Sequence, residues 1–486
     1  MAGGAADALP SPGVEGHGGG ARDGRRDGRR DGREGGPAVT LPKTQGAPHT
    51  ATSTSGPDGA RHRPDELLDL IIVGGGPVGL LAGLLAHEAG LRFRILERDP
   101  EPRPHSRAIG IHPPALRLFA RLGFAEDFAG SGTQIRRGRG FAGPGAPLGS
   151  LDFGLLPPPW NFILTLPQWR TEALFEERLH ARAPGALFRG ITVTELIEAS
   201  GGASVRVTAV GPGGASRTLT SRYVLACDGK RSVLREDAGI GWRGGPYPSR
   251  YLMGDFPVGD SPGHGAPGAV RDHPAAGEPE GSRGHPEATG ASPPADPDPL
   301  GEDAAIYLHP RGLVESFPLV SGIRRWVVQE EEAPPTPGDL SSLVAVVADR
   351  CGVTLDSRTC RMFSAFGVER YLADRFWKGR LVLAGDAAHV VSPIGGQGMN
   401  LGWLNADEAV TALARVLRGE TSPQEALGTF ERRARRRARE VIRRAEQNMF
   451  MGNRRRLPRL RNQVFRLVLR TPLRKVLARR FSMHGL

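Results

Sequence analysis

The stretch LLDLIIVGGGPVGLLAGLLAHEAGLRFRILERD, residues 67–99, sets the fold class of the chain. Leu67 to Val73 is a short, nearly continuous apolar run, the pattern of a parallel strand buried on both faces. It leads into Gly74, Gly75 and Gly76, after which Pro77 opens a helix that small and apolar residues carry to Ala89. Gly90 ends the helix in a left-handed cap, and a second strand, Leu91 to Leu96, delivers Glu97. Strand, turn, helix, strand and acid in this order predict an α/β fold around a parallel sheet.

A dinucleotide site needs the same order. Gly74, Gly76 and Gly79 form GxGxxG: a tight turn, a close approach of pyrophosphate to backbone, and close packing of helix on strand. The helix amino terminus offers free N–H groups and a positive dipole end to phosphate. Glu97 follows Gly74 by 23 positions, near the roughly 20 expected of the acid that accepts ribose hydroxyls. The stretch is also about as long as a membrane span, with Gly75, Gly79 and Gly83 at GxxxG steps, but Asp69 and the triple glycine argue against one. The motif alone leaves FAD and NAD(P) both open.

Two more strand ends carry acids. In YVLACDGKRSVLRE the run Tyr223 to Cys227 reaches Asp228 and Gly229, and in RLVLAGDAAH the run Leu381 to Ala384 reaches Gly385 and Asp386. With the glycine loop, these ends predict one extended ligand along the carboxyl edge of a parallel sheet. Between them lie a polar turn and helix at 105–123, from which Arg107 can reach phosphate or flavin, and an amphipathic helix with Gln168 at its start. Residues 188–226 alternate like a small antiparallel meander.

Asp386 and His389 stand three apart and raise the alternative of a metal site. That would need further ligands, and no HExxH or comparable cluster accompanies the pair. No metal is therefore expected, and His389 is read as a packing or pocket-wall residue.

Composition bounds the rest. The 486 residues exceed one average core, but 68 Gly and 42 Pro exceed what folded domains use, so part of the chain is expected to lack a core. Residues 1–64, with RDGRRDGRRDGRE at 22–34, are read as a disordered extension; they lack the apolar segment of a secretory signal. Cys227, Cys351 and Cys360 have no paired spacing and suit reduced thiols of a cytoplasmic protein. Between Arg432 and Arg480 nineteen Lys and Arg oppose two Glu, more than the whole-chain net charge of +12, so the body is mildly acidic and nucleic acid is not an expected partner.

In this order, GGGPVG with Glu97, SRAIGIHPPALRLF, LPQWRTEALF, DGKRSVLR and GDAAHVVSPIGGQGMNLGWLNADEA resemble the single-component FAD monooxygenases related to para-hydroxybenzoate hydroxylase. The resemblance runs from about Leu67 to Glu446. It implies a Rossmann-like FAD-binding domain interleaved with a β-sheet substrate domain, α+β overall, with NAD(P)H as reductant and oxygen activated as a flavin C4a-hydroperoxide. It also implies that Gly74, Gly76 and Gly79 hold pyrophosphate, Glu97 the adenosine ribose and Gln168 the neighbourhood of the ribityl chain. Arg107, Asp228 and Gly229 would serve FAD, and Asp386 would accept from a ribityl hydroxyl.

Beside that resemblance, the residues after Asp386 have a physical reading of their own. Pro393, Gly395, Gly396 and Gly398 let the backbone run against a flat ring without Cβ interference. The helix beginning near Met399 points its positive end at the flavin's N1 and C2 oxygen, with a backbone amide of Met399 or Asn400 as donor.

The expected domains are 65–241 for the first part of the FAD domain with a substrate-domain excursion at about 132–166, and 242–370 for the substrate domain. A disordered insertion falls at about 258–303, 371–450 return to the FAD domain, and 451–486 form a basic amphipathic tail. The tail carries Leu460, Val464, Val468, Leu473, Val476 and Leu477 between arginines. This stripe is expected to pack on the acidic body, with peripheral contact to an anionic membrane through 454–481 as the alternative. Relatives that act on large polyketides often add a thioredoxin-like domain, for which the tail is too short. Tyr251 and Tyr307 lie in the substrate region, but no catalytic acid or base is assigned. The expected activity is hydroxylation or epoxidation of a hydrophobic aromatic, polyketide or terpenoid molecule with O2; an FAD reductase or dehydrogenase on the same fold is the alternative.

Overall fold

The computed structural model describes residues 67–103, 108–258, 300–330, 338–453 and 458–485. They fall in one compact unit, Gly59–Leu486. Arg107, the expected extension at 1–64 and most of the expected insertion lie outside the described residues. The end of that insertion belongs to the packed body, where Leu300 is buried and Asp303 pairs with Arg137 at 3.0 Å.

Leu67–Val73 is the centre of the first sheet. It lies parallel to Phe93–Glu97 on one side and to the end of Ser216–Ala226 on the other. Leu381–Leu383 and Leu187–Arg189 extend the parallel set outward. Ser216–Ala226 is one long strand with two neighbourhoods: its first half pairs antiparallel with Val205–Val210, and its second half enters the parallel core. The meander expected at 188–226 is thus continuous with the strand that carries Asp228. Asp69, the charge in the first apolar run, sits partly exposed beside Arg92 and Arg222 at 3.5 and 3.8 Å.

The helix Pro77–Glu88 is buried without interruption from Gly79 to Ala86. The strand lies on one side, and the helices Gln168–Arg182 and Gln397–Leu417 enclose the other. A helix surrounded on every side needs no polar face, which is why its sequence resembles a membrane span. No helix of the described residues is long and apolar enough to cross a membrane.

A second sheet of eight strands is built mainly from residues 242–257, 304–329 and 362–373. Arg137–Phe141 and Pro147–Asp152 join its edge, so a segment from the first half of the chain completes it. The helix Leu340–Cys351, capped by Asp339 onto the Ser342 N–H, covers one face through Leu343 and Val347. Tyr307 lies on that face, stacked on Phe141 at 4.7 Å between centroids. The opposite face carries Tyr251, Met253 and Val327 and looks toward the first sheet's loops.

The helices Pro458–Arg470 and Leu473–Phe481 pack on the strand Pro147–Asp152. The face that docks shares Leu477 with the expected stripe but is otherwise rotated from it. Phe465, Leu469, Leu477, Ala478 and Phe481 make the contact, and Arg461 is buried and donates to the Leu308 carbonyl. Leu460, Val464, Leu473 and Val476 are instead 50–62% exposed. Two phenylalanines offer more burial per residue than the valines and leucines of the other stripe, and this sets the rotation of the helices.

Candidate functional site

One cavity of about 580 Å³ runs from the glycine loop to the second sheet. Gly74, Gly76, Glu97, Gln168, Asp228, Gly229, Asp386, Pro393, Gly396, Gly398 and Met399 all line it. Gly79 and Asn400 do not; both act behind the wall.

The glycine loop separates three roles. Gly74 has φ +106°, and a Cβ there would lie 2.4 Å from the Cys227 carbonyl oxygen, so the turn presses against the strand that carries Asp228. A Cβ on Gly79 would lie 1.9 Å from the Gly74 oxygen, the close packing of helix on turn. A Cβ on Gly76 would meet nothing within 4 Å, because the position faces the cavity at the helix amino terminus. That space is where a pyrophosphate fits. Gly75, outside the spaced motif, is also constrained: its Cβ would lie 2.8 Å from that of Glu97.

Glu97 accepts from the Gly75 N–H and, at 2.8 Å, from the Asp99 N–H, which fixes its carboxylate at the cavity edge. Gln168 donates to Glu172 at 2.7 Å; burial raises the Glu172 carboxyl, and this bond opposes the shift. Arg189, held by Glu176, lies on the same wall. Asp228 Oδ1 is buried with no hydrogen-bond partner among the described residues, and burial raises its carboxyl. Such an acceptor at a cavity wall fits a ligand donor. Asp386 is open to the cavity but crowded by protein on its other sides. This crowding raises it to about 6, partly offset by the Lys230 charge.

Two buried residues, neither assigned from the sequence to this task, tie the loops together. Arg235 donates to the Lys230 carbonyl at 3.0 Å and the Ala387 carbonyl at 3.3 Å, joining the two acid-bearing loops, and lies 4.0 Å from the Trp242 ring centroid. His112 is pushed down to about 4 by burial, so it is neutral and donates through Nε2 to the Gly395 carbonyl at 3.0 Å. The Asn400 side chain accepts from the His112 N–H at 2.8 Å and donates to Gly110 and Gly396 carbonyls at 2.9 and 2.8 Å. It clamps the glycine turn, and Met399 remains on the wall. The helix Gln397–Leu417 starts at Gly396, whose φ of +64° suits glycine, and directs its positive end to the cavity.

Asp386 and His389 diverge. His389 is fully buried against Asn405 at 2.8 Å, and burial lowers it to about 3, while Asp386 faces the cavity. The described residues contain no group of His, Cys, Asp and Glu that could hold a metal ion.

Beyond the ring-sized space at Pro393–Met399, the cavity meets Ile163, Thr165, Met253, Phe317, Val327, Phe366 and Phe481. Glu315 and Arg325 are the charged groups of this second-sheet wall, and Arg325 is held by Asp255 through bonds of 2.6 and 2.7 Å. Glu315 was invisible in the sequence because one acid in an apolar strand gives no facing direction until the sheet is assembled.

The family model described as FAD binding domain matches residues 68–255 and 298–445. A 12-dehydrotetracycline 5-monooxygenase/anhydrotetracycline 6-monooxygenase of Streptomyces rimosus is 32% identical over 370 residues, covering 75% of this chain and 65% of its own length. The chain thus spans about two thirds of that relative. The structure of anhydrotetracycline hydroxylase from Streptomyces rimosus superposes with a TM-score of 0.66 at 26% identity, over 87% of this chain and 77% of its own. That of p-nitrophenol 4-monooxygenase from Pseudomonas putida gives a TM-score of 0.72 at 21% identity, over 86% and 98%, a likeness of fold.

Proposed function

Because this chain belongs to the family described as FAD binding domain, we propose that it is an FAD-dependent monooxygenase acting on a hydrophobic small molecule. The overall reaction is RH + NAD(P)H + H⁺ + O2 giving ROH + NAD(P)⁺ + H2O, or the corresponding epoxidation. The observation that carries this reading is continuity: one cavity joins the glycine loop, both acid-bearing strand ends and the Pro393–Met399 turn to an apolar wall of the second sheet. Bound FAD supplies the acceptance of hydride and the activation of O2.

The chain's own residues bind, orient and exclude water. Gly74 to Gly76 receive the pyrophosphate at a turn that Gly79 packs from behind, Glu97 receives the adenosine ribose, and Asp386 a ribityl hydroxyl, with Asp228 and Gln168 along the same path. The turn clamped by Asn400 and His112 holds the ring against Pro393, Gly396 and Gly398. In this reading the first sheet is the cofactor domain and the second the substrate domain. The apolar wall supports an aromatic, polyketide or terpenoid acceptor held in a dry pocket.

NAD(P)H oxidation and O2 uptake, followed together with such compounds on the yellow holoprotein, test the reading. Stoichiometric uptake with an oxygenated product is expected. NAD(P)H oxidation without O2 uptake would make the chain a reductase.

A second partner belongs to the same proposal. The exposed faces of the last two helices alternate Leu460, Val464, Leu467, Leu473 and Val476 with Arg459, Arg466, Arg470, Arg474 and Lys475. Apolar side chains flanked by cations fit the interface of an anionic bilayer. Co-sedimentation with vesicles containing phosphatidylglycerol is expected, and equal binding to neutral vesicles would remove the idea.

A further inference from the structure

We propose that Glu315 accepts a hydrogen bond from a hydroxyl of the substrate, so that this wall selects phenolic or otherwise hydroxylated aromatic acceptors. The inference rests on the monooxygenase reading and adds the chemistry by which the acceptor is recognised. Glu315 stands in the strand Gly312–Leu319 opposite Val327, which in turn stands opposite Met253. All three line the cavity, and Glu315 is 5% exposed. Among the described residues nothing donates to its carboxylate. The adjacent cation does not serve it, since the Arg325 guanidinium is held by Asp255 one register step away.

A buried acid without a partner is costly unless something that enters the cavity completes it. Burial alone raises this carboxyl to about 7, so near neutral pH the carboxylate is accessible as an acceptor. Tyr251, on the same face, has a buried hydroxyl with no partner, and the Glu315 charge helps raise it. In this wall, apolar apart from the Asp255-bound Arg325, Glu315 is the open acceptor, and a placed polar group of this kind fixes orientation in a small-molecule pocket.

For a phenol, the O–H donates to the carboxylate, a charge-assisted hydrogen bond that an ether cannot make.

Equilibrium dialysis of the holoprotein at pH 8 against 2-naphthol and 2-methoxynaphthalene isolates the hydroxyl. Wild type is expected to favour the naphthol by about tenfold or more, the range of a hydrogen bond to a charged group. Glu315→Gln should shrink that preference and Glu315→Leu abolish it, with affinity for the ether kept in both. Equal binding of the two probes by wild type, no binding of either, or a wild-type preference in Glu315→Leu would overturn the proposal. Dialysis reads neither flavin reduction nor O2, so failure of the monooxygenase reading shows separately in oxygen uptake.

Discussion

Gly76 and Gly79 belong to one motif for opposite reasons. Gly79 is required by the protein itself, because its Cβ would strike the Gly74 oxygen, while Gly76 has free space and an ordinary φ of −76°. Gly79→Ala is therefore expected to destabilise the protein by about 2 kcal/mol or more in urea unfolding. Gly76→Ala should unfold like wild type but weaken FAD about tenfold or more in a flavin titration, since the methyl occupies the pyrophosphate space. Glu315 gives a pH-dependent counterpart. Its carboxyl is raised from 4.5 to about 7 in the folded protein, so the folded state binds more protons than the unfolded state between those values. Its stability contribution is thus full below 4.5 and is lost as pH rises to about 7. Glu315→Gln should gain about 3 kcal/mol over wild type at pH 8 and much less near pH 5, measured on ligand-free protein by denaturant unfolding.

At the scale of elements, the first strand, its helix and the second strand were legible because their sequence pattern and burial have one cause. A parallel strand covered on both faces and a helix covered on all sides are continuously apolar, and the loop between them must be glycine. The terminal helices were legible as helices but not in rotation. Their sequence holds two apolar stripes, and only the shape of the strand at 147–152 chose Leu469 and Phe481 over Leu467 and Val476. Substituting Glu at the exposed Leu467 and Val476 should therefore leave FAD content and Tm unchanged and abolish sedimentation with anionic vesicles. A large drop in Tm would show that these side chains pack in the fold.

Across the whole molecule, the cavity draws its walls from both sheets and from residues between Val73 and Phe481. A ligand filling it couples both sheets to one equilibrium. FAD added at about 100 times its Kd should stabilise the protein by about 2.7 kcal/mol and shift a single unfolding transition upward. Asp386→Ala should lower FAD content after gel filtration and reduce that shift. Intact FAD content in the purified variant would exclude Asp386 from the cofactor's support.

The sequence by itself determined the βαβ unit, the glycine loop and the three strand-end acids, because each is specified by local order: apolar run, glycine, acid. Only the tertiary structure decided which groups face one another. Asn400 became a clamp between chain segments 290 residues apart, Arg235 a bridge between two motifs, and Glu315 an unpaired acid in an apolar wall. Facing direction depends on strand register and sheet neighbours, and those are set by long-range packing that no local pattern encodes.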